Sequence, residues 1–128
     1  MPGERITASE LFAPPGYAHA GRAGGLVHTA GAVPLDADGN LVGEGDVRAQ
    51  TRQVLANLEA QLAAAGASPA DVVKTVVYVA TERRDDLPAV WEVVRESPFD
   101  GAASSLLGVS FLGYTGQLVE IEAVAVLD

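Results

Sequence analysis

The segment VVKTVVYVAT (Val72 to Thr81) constrains the fold more than any other stretch of this chain. Its β-branched and aromatic residues mark a strand, and like ASSLLGVSFL (Ala103 to Leu112) it is apolar at positions on both alternating faces. Strands of that kind belong to a sheet that needs cover on both sides. Two helices joined to such strands by right-handed crossovers lie on one side only, which leaves the other face bare in a lone chain. An apolar face of that size predicts a homo-oligomer with sheets packed face to face. The alternative is a monomer with a partly apolar solvent face.

Periodicity predicts the helices. From Asp46 to Ala65, the residues Val47, Thr51, Val54, Leu55, Leu58, Leu62 and Ala65 follow helical steps, with Asp46 as N-cap and Gly66 just past the end. Ser68-Pro69-Ala70-Asp71 has capping-box spacing and predicts a single helical turn. A second helix is predicted from Leu87 to Glu96, with Leu87, Val90, Trp91 and Val94 on one side, Trp91 packing on the sheet and Pro98 ending it. LVHTAGAV (Leu26 to Val33) and LVEIEAVAVL (Leu118 to Leu127) read as further strands, and the Asp38-Gly39 turn leads to a short hairpin partner at Leu41-Val42. The expected fold class is α+β, in one domain spanning residues 1–128.

At 48% hydrophobic and 20% charged residues, the chain has the material for a packed core. The absence of cysteine removes disulfides, thiolate nucleophiles and Cys-ligated metal. Eight Lys and Arg against 17 Asp and Glu leave a net charge of −9, which repels phosphate backbones and anionic lipid, so neither nucleic acid nor a membrane is an expected partner. Glu4, Arg5, Ser9 and Glu10 interrupt the first residues before a signal-peptide core can form, and the longest uncharged run, Gly101 to Val119, is too rich in Gly and Ser for a bilayer span. A cytoplasmic location is expected.

Most local motifs fail. Asp36-Ala37-Asp38-Gly39-Asn40 has its glycine fourth, where a calcium loop needs it sixth. The glycines at 21, 24 and 25 form no dinucleotide fingerprint. His19 and His28 lack the spacing that puts two imidazoles on one metal, and Ser110 lacks the strand-to-helix elbow of a hydrolase nucleophile, so no metal site is expected. Glu120 and Glu122 share one face of the last strand, followed on that face by Val124 and Val126. A carboxylate near the apolar end of such a strand feels desolvation and suits proton transfer. The alternative is a pair of solvated glutamates at a sheet edge.

PPGYAHA (Pro14 to Ala20), the stretch from His28 to Ser68, DVVKTVVYV (Asp71 to Val79) and LVEIEAVAV (Leu118 to Val126) together resemble the YjgF/YER057c/UK114 family, also called the Rid (reactive intermediate deaminase) family. The resemblance implies a chorismate-mutase-like α+β fold: a mixed sheet with two helices on one face, and a homotrimer whose sheets form a barrel with small-molecule clefts between subunits. It also implies hydrolysis of reactive imines and enamines to ketoacids and ammonia, without a cofactor. By position, Tyr17 contributes a phenol to the cleft, Gly31 a backbone contact to the ligand, and Glu120 the carboxylate that orients or activates water. Deaminating members carry a substrate-binding arginine where this chain has Ser105, and no Arg or Lys occurs from Glu96 to Asp128. Serine offers one hydroxyl and no charge, so the resemblance implies a neutral or differently charged substrate, which is hydrolysed or tautomerised. Trp91 stands where those members often have a polar residue, and enlarges or reshapes the pocket. A non-catalytic small-metabolite-binding trimer is the alternative, and ribonuclease activity is a third, poorly matched by the charge.

Overall fold

The computed structural model of the chain describes residues 3–128. Six strands form one sheet: β1 Glu4–Ile6, β2 Ala20–Ala23, β3 Leu26–Thr29, β4 Val72–Ala80, β5 Ala103–Val109 and β6 Val119–Val126, in the order β1-β2-β3-β6-β4-β5. Helix α1 spans Val47–Ala64 and α2 spans Asp86–Arg95. Neighbouring strands are antiparallel except β4 and β5, which are parallel and joined through α2. Strands β1 and β2 lie outside the expected set. Their short segments, Glu-Arg-Ile and Ala-Gly-Arg-Ala, have no apolar alternation of their own, and pairing with β3 holds them in the sheet.

The helix signals act as expected. The Asp46 carboxylate accepts from Arg48 N at 3.1 Å and Ala49 N at 3.0 Å, and Gly66 takes φ +85° after the last turn of α1. Asp71 returns a side-chain bond to Ser68 N at 2.9 Å around the 3-10 turn Pro69–Asp71. Val54, Leu58 and Leu62 of α1 and Val90 of α2 pack without exposure on Val77, Val79 and Val119 of the sheet, so both helices cover the same face. Burying each Leu side chain there contributes about 2 kcal/mol. Among the described residues, no helix is long and apolar enough to cross a membrane.

The face away from the helices differs from the expected uniformly apolar surface. Cross-strand register groups Leu26, His28, Val124, Val126, Glu120, Glu122, Lys74, Val76, Tyr78, Ser105 and Leu107 on it. Leu26, Leu107 and Val126 are each more than two-fifths exposed, yet charged and hydroxyl side chains stand among them. Period-2 alternation in a strand with many valines hides this mixture, because Lys74 and Tyr78 are minority residues in an apolar run.

Candidate active site

The site begins with three amides on α1. Gln50, Asn57 and Gln61 are buried on the helix face that also carries its apolar stripe. Gln61 Nε2 donates to His19 O at 2.8 Å and Ala30 O at 3.1 Å. Asn57 Nδ2 donates to Val33 O at 2.7 Å and Leu35 O at 2.8 Å. Gln50 Nε2 donates to Gly43 O and Gly116 O, and its Oε1 accepts from Leu118 N at 2.7 Å. Each amide thus ties loop backbone to the helix, and together they fix the segments before β2, after β3 and after β5 relative to one helix.

Those segments converge on Glu120. Its carboxylate lies against Gly31, where any Cβ would overlap it, so a side chain at that position would push the carboxylate out of its place. Gln117 Nε2 donates to Glu120 Oε1 at 3.1 Å while Gln117 Oε1 accepts from Tyr114 N at 3.1 Å. The Tyr17 and Tyr114 hydroxyls meet at 3.3 Å. Tyr17 and Gly31, with Tyr114 and His19, line a cavity of about 20 Å³, a volume that one water molecule fills. Glu120 is not a wall of this cavity and borders it through Gly31. On its other side, Tyr17 borders an open groove of about 700 Å³ that reaches His28.

Burial pushes the Glu120 pKa above the ordinary carboxylate range; the Gln117 hydrogen bond pulls it down and the like charge of Glu122 raises it further. Burial and the Tyr114 hydroxyl raise the Tyr17 phenol well above its ordinary value, so it stays a neutral O–H donor. Glu122 accepts from the Tyr78 hydroxyl at 2.6 Å, and chiefly this bond pushes the Tyr78 pKa up to about 12. His19 is buried in a structural role: Nδ1 accepts from Ala8 N at 2.9 Å, which leaves Nε2–H to donate to Phe12 O at 3.2 Å.

Of the residues singled out in the sequence, Tyr17, Gly31 and Glu120 come together. Ser105 and Trp91 do not join them. Ser105 sits on β5, on the uncovered face, where its hydroxyl accepts from Lys74 Nζ at 3.0 Å. Trp91 is half-buried on α2 against the core and lines neither the cavity nor the groove beside Tyr17. Tyr114 and Gln117 were missed because their roles come from the folded-back loop before β6. Lys74 was missed because register, not sequence distance, brings it to Ser105.

A mixed six-stranded sheet with two helices on one face defines a class of small α+β proteins. The family described as Endoribonuclease L-PSP matches residues 7–127, and the chain belongs to this family, the YjgF/Rid family. It is 36% identical over 110 residues to a RutC family protein of Pyrococcus horikoshii, covering 85% of each chain. It is 31% identical over the full length of both chains to a 2-iminobutanoate/2-iminopropanoate deaminase of Dermatophagoides farinae. The crystal structure of the YjgF gene product of E. coli superposes with a TM-score of 0.83 at 31% identity, covering 96% of this chain and 98% of that one.

Proposed function

We propose that this chain hydrolyses the C=N bond of a small reactive imine, or of the enamine in equilibrium with it, in clefts formed where three copies of the chain meet. The observation that carries the reading is Glu120: a half-buried carboxylate with raised proton affinity, held over Gly31 by Gln117 and faced by a neutral phenol. The activity named for the mite relative supports it.

Each residue takes a role in a step that balances. The imine enters protonated on nitrogen; water gives a proton to the Glu120 carboxylate as its oxygen bonds to the imine carbon, and the C=N π pair moves to nitrogen to give a neutral carbinolamine. Glu120 passes that proton to the nitrogen, the C–N bond breaks with its pair leaving on ammonia, and the hydroxyl proton returns to the Glu120 carboxylate as the carbonyl forms. Tyr17 donates a hydrogen bond to the reacting polar group, Gly31 presents backbone at van der Waals distance, and Ser105 contributes a hydroxyl from the adjoining subunit. The reaction needs no cofactor. Trp91, packed on the core, takes no part.

The reading is tested with 2-iminobutanoate generated in situ from 2-aminobutanoate by an amino-acid oxidase, with semicarbazide trapping whatever imine escapes. The protein should suppress semicarbazone formation, and Glu120→Ala should abolish that suppression while leaving the assembly unchanged. The serine at position 105 favours a second reading, a non-catalytic metabolite-binding trimer. Thermal stabilisation by 2-oxobutanoate with no effect on semicarbazone yield would establish that reading instead. RNA cleavage is disfavoured by a net charge of −9 and an acidic site.

A further inference from the structure

We propose that Lys74, together with Ser105, is the carboxylate anchor of this protein's ligand, and that it serves the Glu120 of a neighbouring protomer. The inference rests on the imine-hydrolase reading for its substrate class, a 2-imino acid, and names the group that recognises the acid.

Lys74 is half-buried on β4, and its ammonium donates to Ser105 Oγ at 3.0 Å. A hydroxyl occupies one of its three N–H groups and cancels no charge. The ion pair found among the described residues joins Arg48 to Glu92 on the helices, so Lys74 has no carboxylate partner there. On the uncovered face the fully charged groups of strands β3 to β6 are Lys74, Glu120 and Glu122; Arg5 shares that face and lines the groove beside Tyr17, but it stands on β1, three strands from Glu120, whereas Lys74 is on the strand next to the glutamates. A half-buried ammonium with two free donors next to a hydroxyl is a carboxylate receptor in both charge and geometry. The missing arginine at position 105 therefore does not imply loss of anion recognition, because β4 places an amine where β5 lacks one.

The same register shows why two protomers are needed. Ser105 and Glu120 lie on strands separated by β4, about 10 Å apart across the sheet and offset by a further two residues along it. The Glu120 carboxylate turns toward Gly31 on the β3 side, and the Lys74 ammonium turns toward β5. In a 2-imino acid the carboxylate carbon is bonded directly to the imine carbon, so the groups touching each must lie within about two hydrogen-bond lengths of one another. One protomer cannot meet that condition. A neighbour that brings its β5 side against the uncovered face beside Tyr17 and Glu120 can.

The test measures binding of 2-oxobutanoate and of its uncharged methyl ester to wild type, Lys74→Met, Lys74→Arg and Glu120→Gln by calorimetry, with sedimentation run on each sample. Wild type should prefer the acid. Lys74→Met should weaken acid binding about tenfold or more with the ester unaffected, and Lys74→Arg should restore most of the loss even if Lys74→Met assembles poorly. Equal acid affinity in Lys74→Met, no rescue by Lys74→Arg, or a wild type indifferent to the charge would overturn the anchor. Mixing Lys74→Met with Glu120→Gln protomers should raise kcat/KM for the imine above that of either variant alone, since hybrid seams reunite an intact lysine with an intact glutamate. Lack of recovery in confirmed hybrids would overturn the shared site. Lys74-dependent acid binding without turnover in wild type would sink the hydrolase reading and leave the anchor standing, whereas turnover with an unchanged KM in Lys74→Met would do the reverse.

Discussion

Glu120 is held partly out of water against a residue that has no side chain, and this has opposite consequences for catalysis and stability. Burial makes the folded chain bind the Glu120 proton more tightly than the unfolded chain does, so stability is lost as pH rises from the unfolded pKa through the folded one. Glu120→Gln should therefore lower turnover at least about a hundredfold and raise the melting temperature at neutral pH, a gain that disappears in scans run below the ordinary carboxylate range. Glu122→Gln removes a like charge that raises the Glu120 pKa, so the acid limb of the pH–rate profile should move to lower pH. A limb that stays put would remove Glu120 as the titrating base. Tyr17, Gly31 and Glu120 were legible in the sequence through the family resemblance, and they do converge. Lys74 and Gln117 were not, because a lysine in a strand and a glutamine before one acquire meaning only from cross-strand register and loop closure.

Helix α1 does two jobs with one face, and the sequence disclosed only one of them. Its apolar period was plain, with Asp46 and Gly66 marking its ends, while the buried roles of Gln50, Asn57 and Gln61 on the same face were not read from the sequence. Their burial follows from what they meet: backbone carbonyls of the loops that pack against the helix. Gln61→Leu leaves His19 O and Ala30 O without that donor in a buried setting, and should cost about 3 kcal/mol in chemical denaturation. It should also loosen the Tyr17 and Gly31 segments enough to reduce turnover. Asp46→Ala, which removes only a cap, should cost about 1 kcal/mol and leave turnover intact. Equal effects on activity would refute the division of labour between the cap and the amide stripe. Strands β1 and β2 escaped the sequence for the opposite reason: they carry little preference of their own and owe their conformation to β3.

For the whole molecule, the sheet has one face sealed by helices and one left open, as two apolar-rich strands and one-sided crossovers required. The open face is a blend of valine and leucine with Arg5, Lys74, Glu120 and Glu122, which fits cover by a second copy of itself better than cover by a purely apolar partner. Leu107, 46% exposed on that face, contributes little to the fold of a single chain. Leu107→Glu should accordingly leave the circular dichroism spectrum unchanged while dissociating the proposed assembly and abolishing turnover, because the proposed cleft needs two protomers. The most direct measurement is sedimentation velocity of the wild-type protein at micromolar concentration in ordinary buffer. A species of three times the 13.1 kDa chain mass is the predicted result, and a boundary containing only single chains would contradict the account.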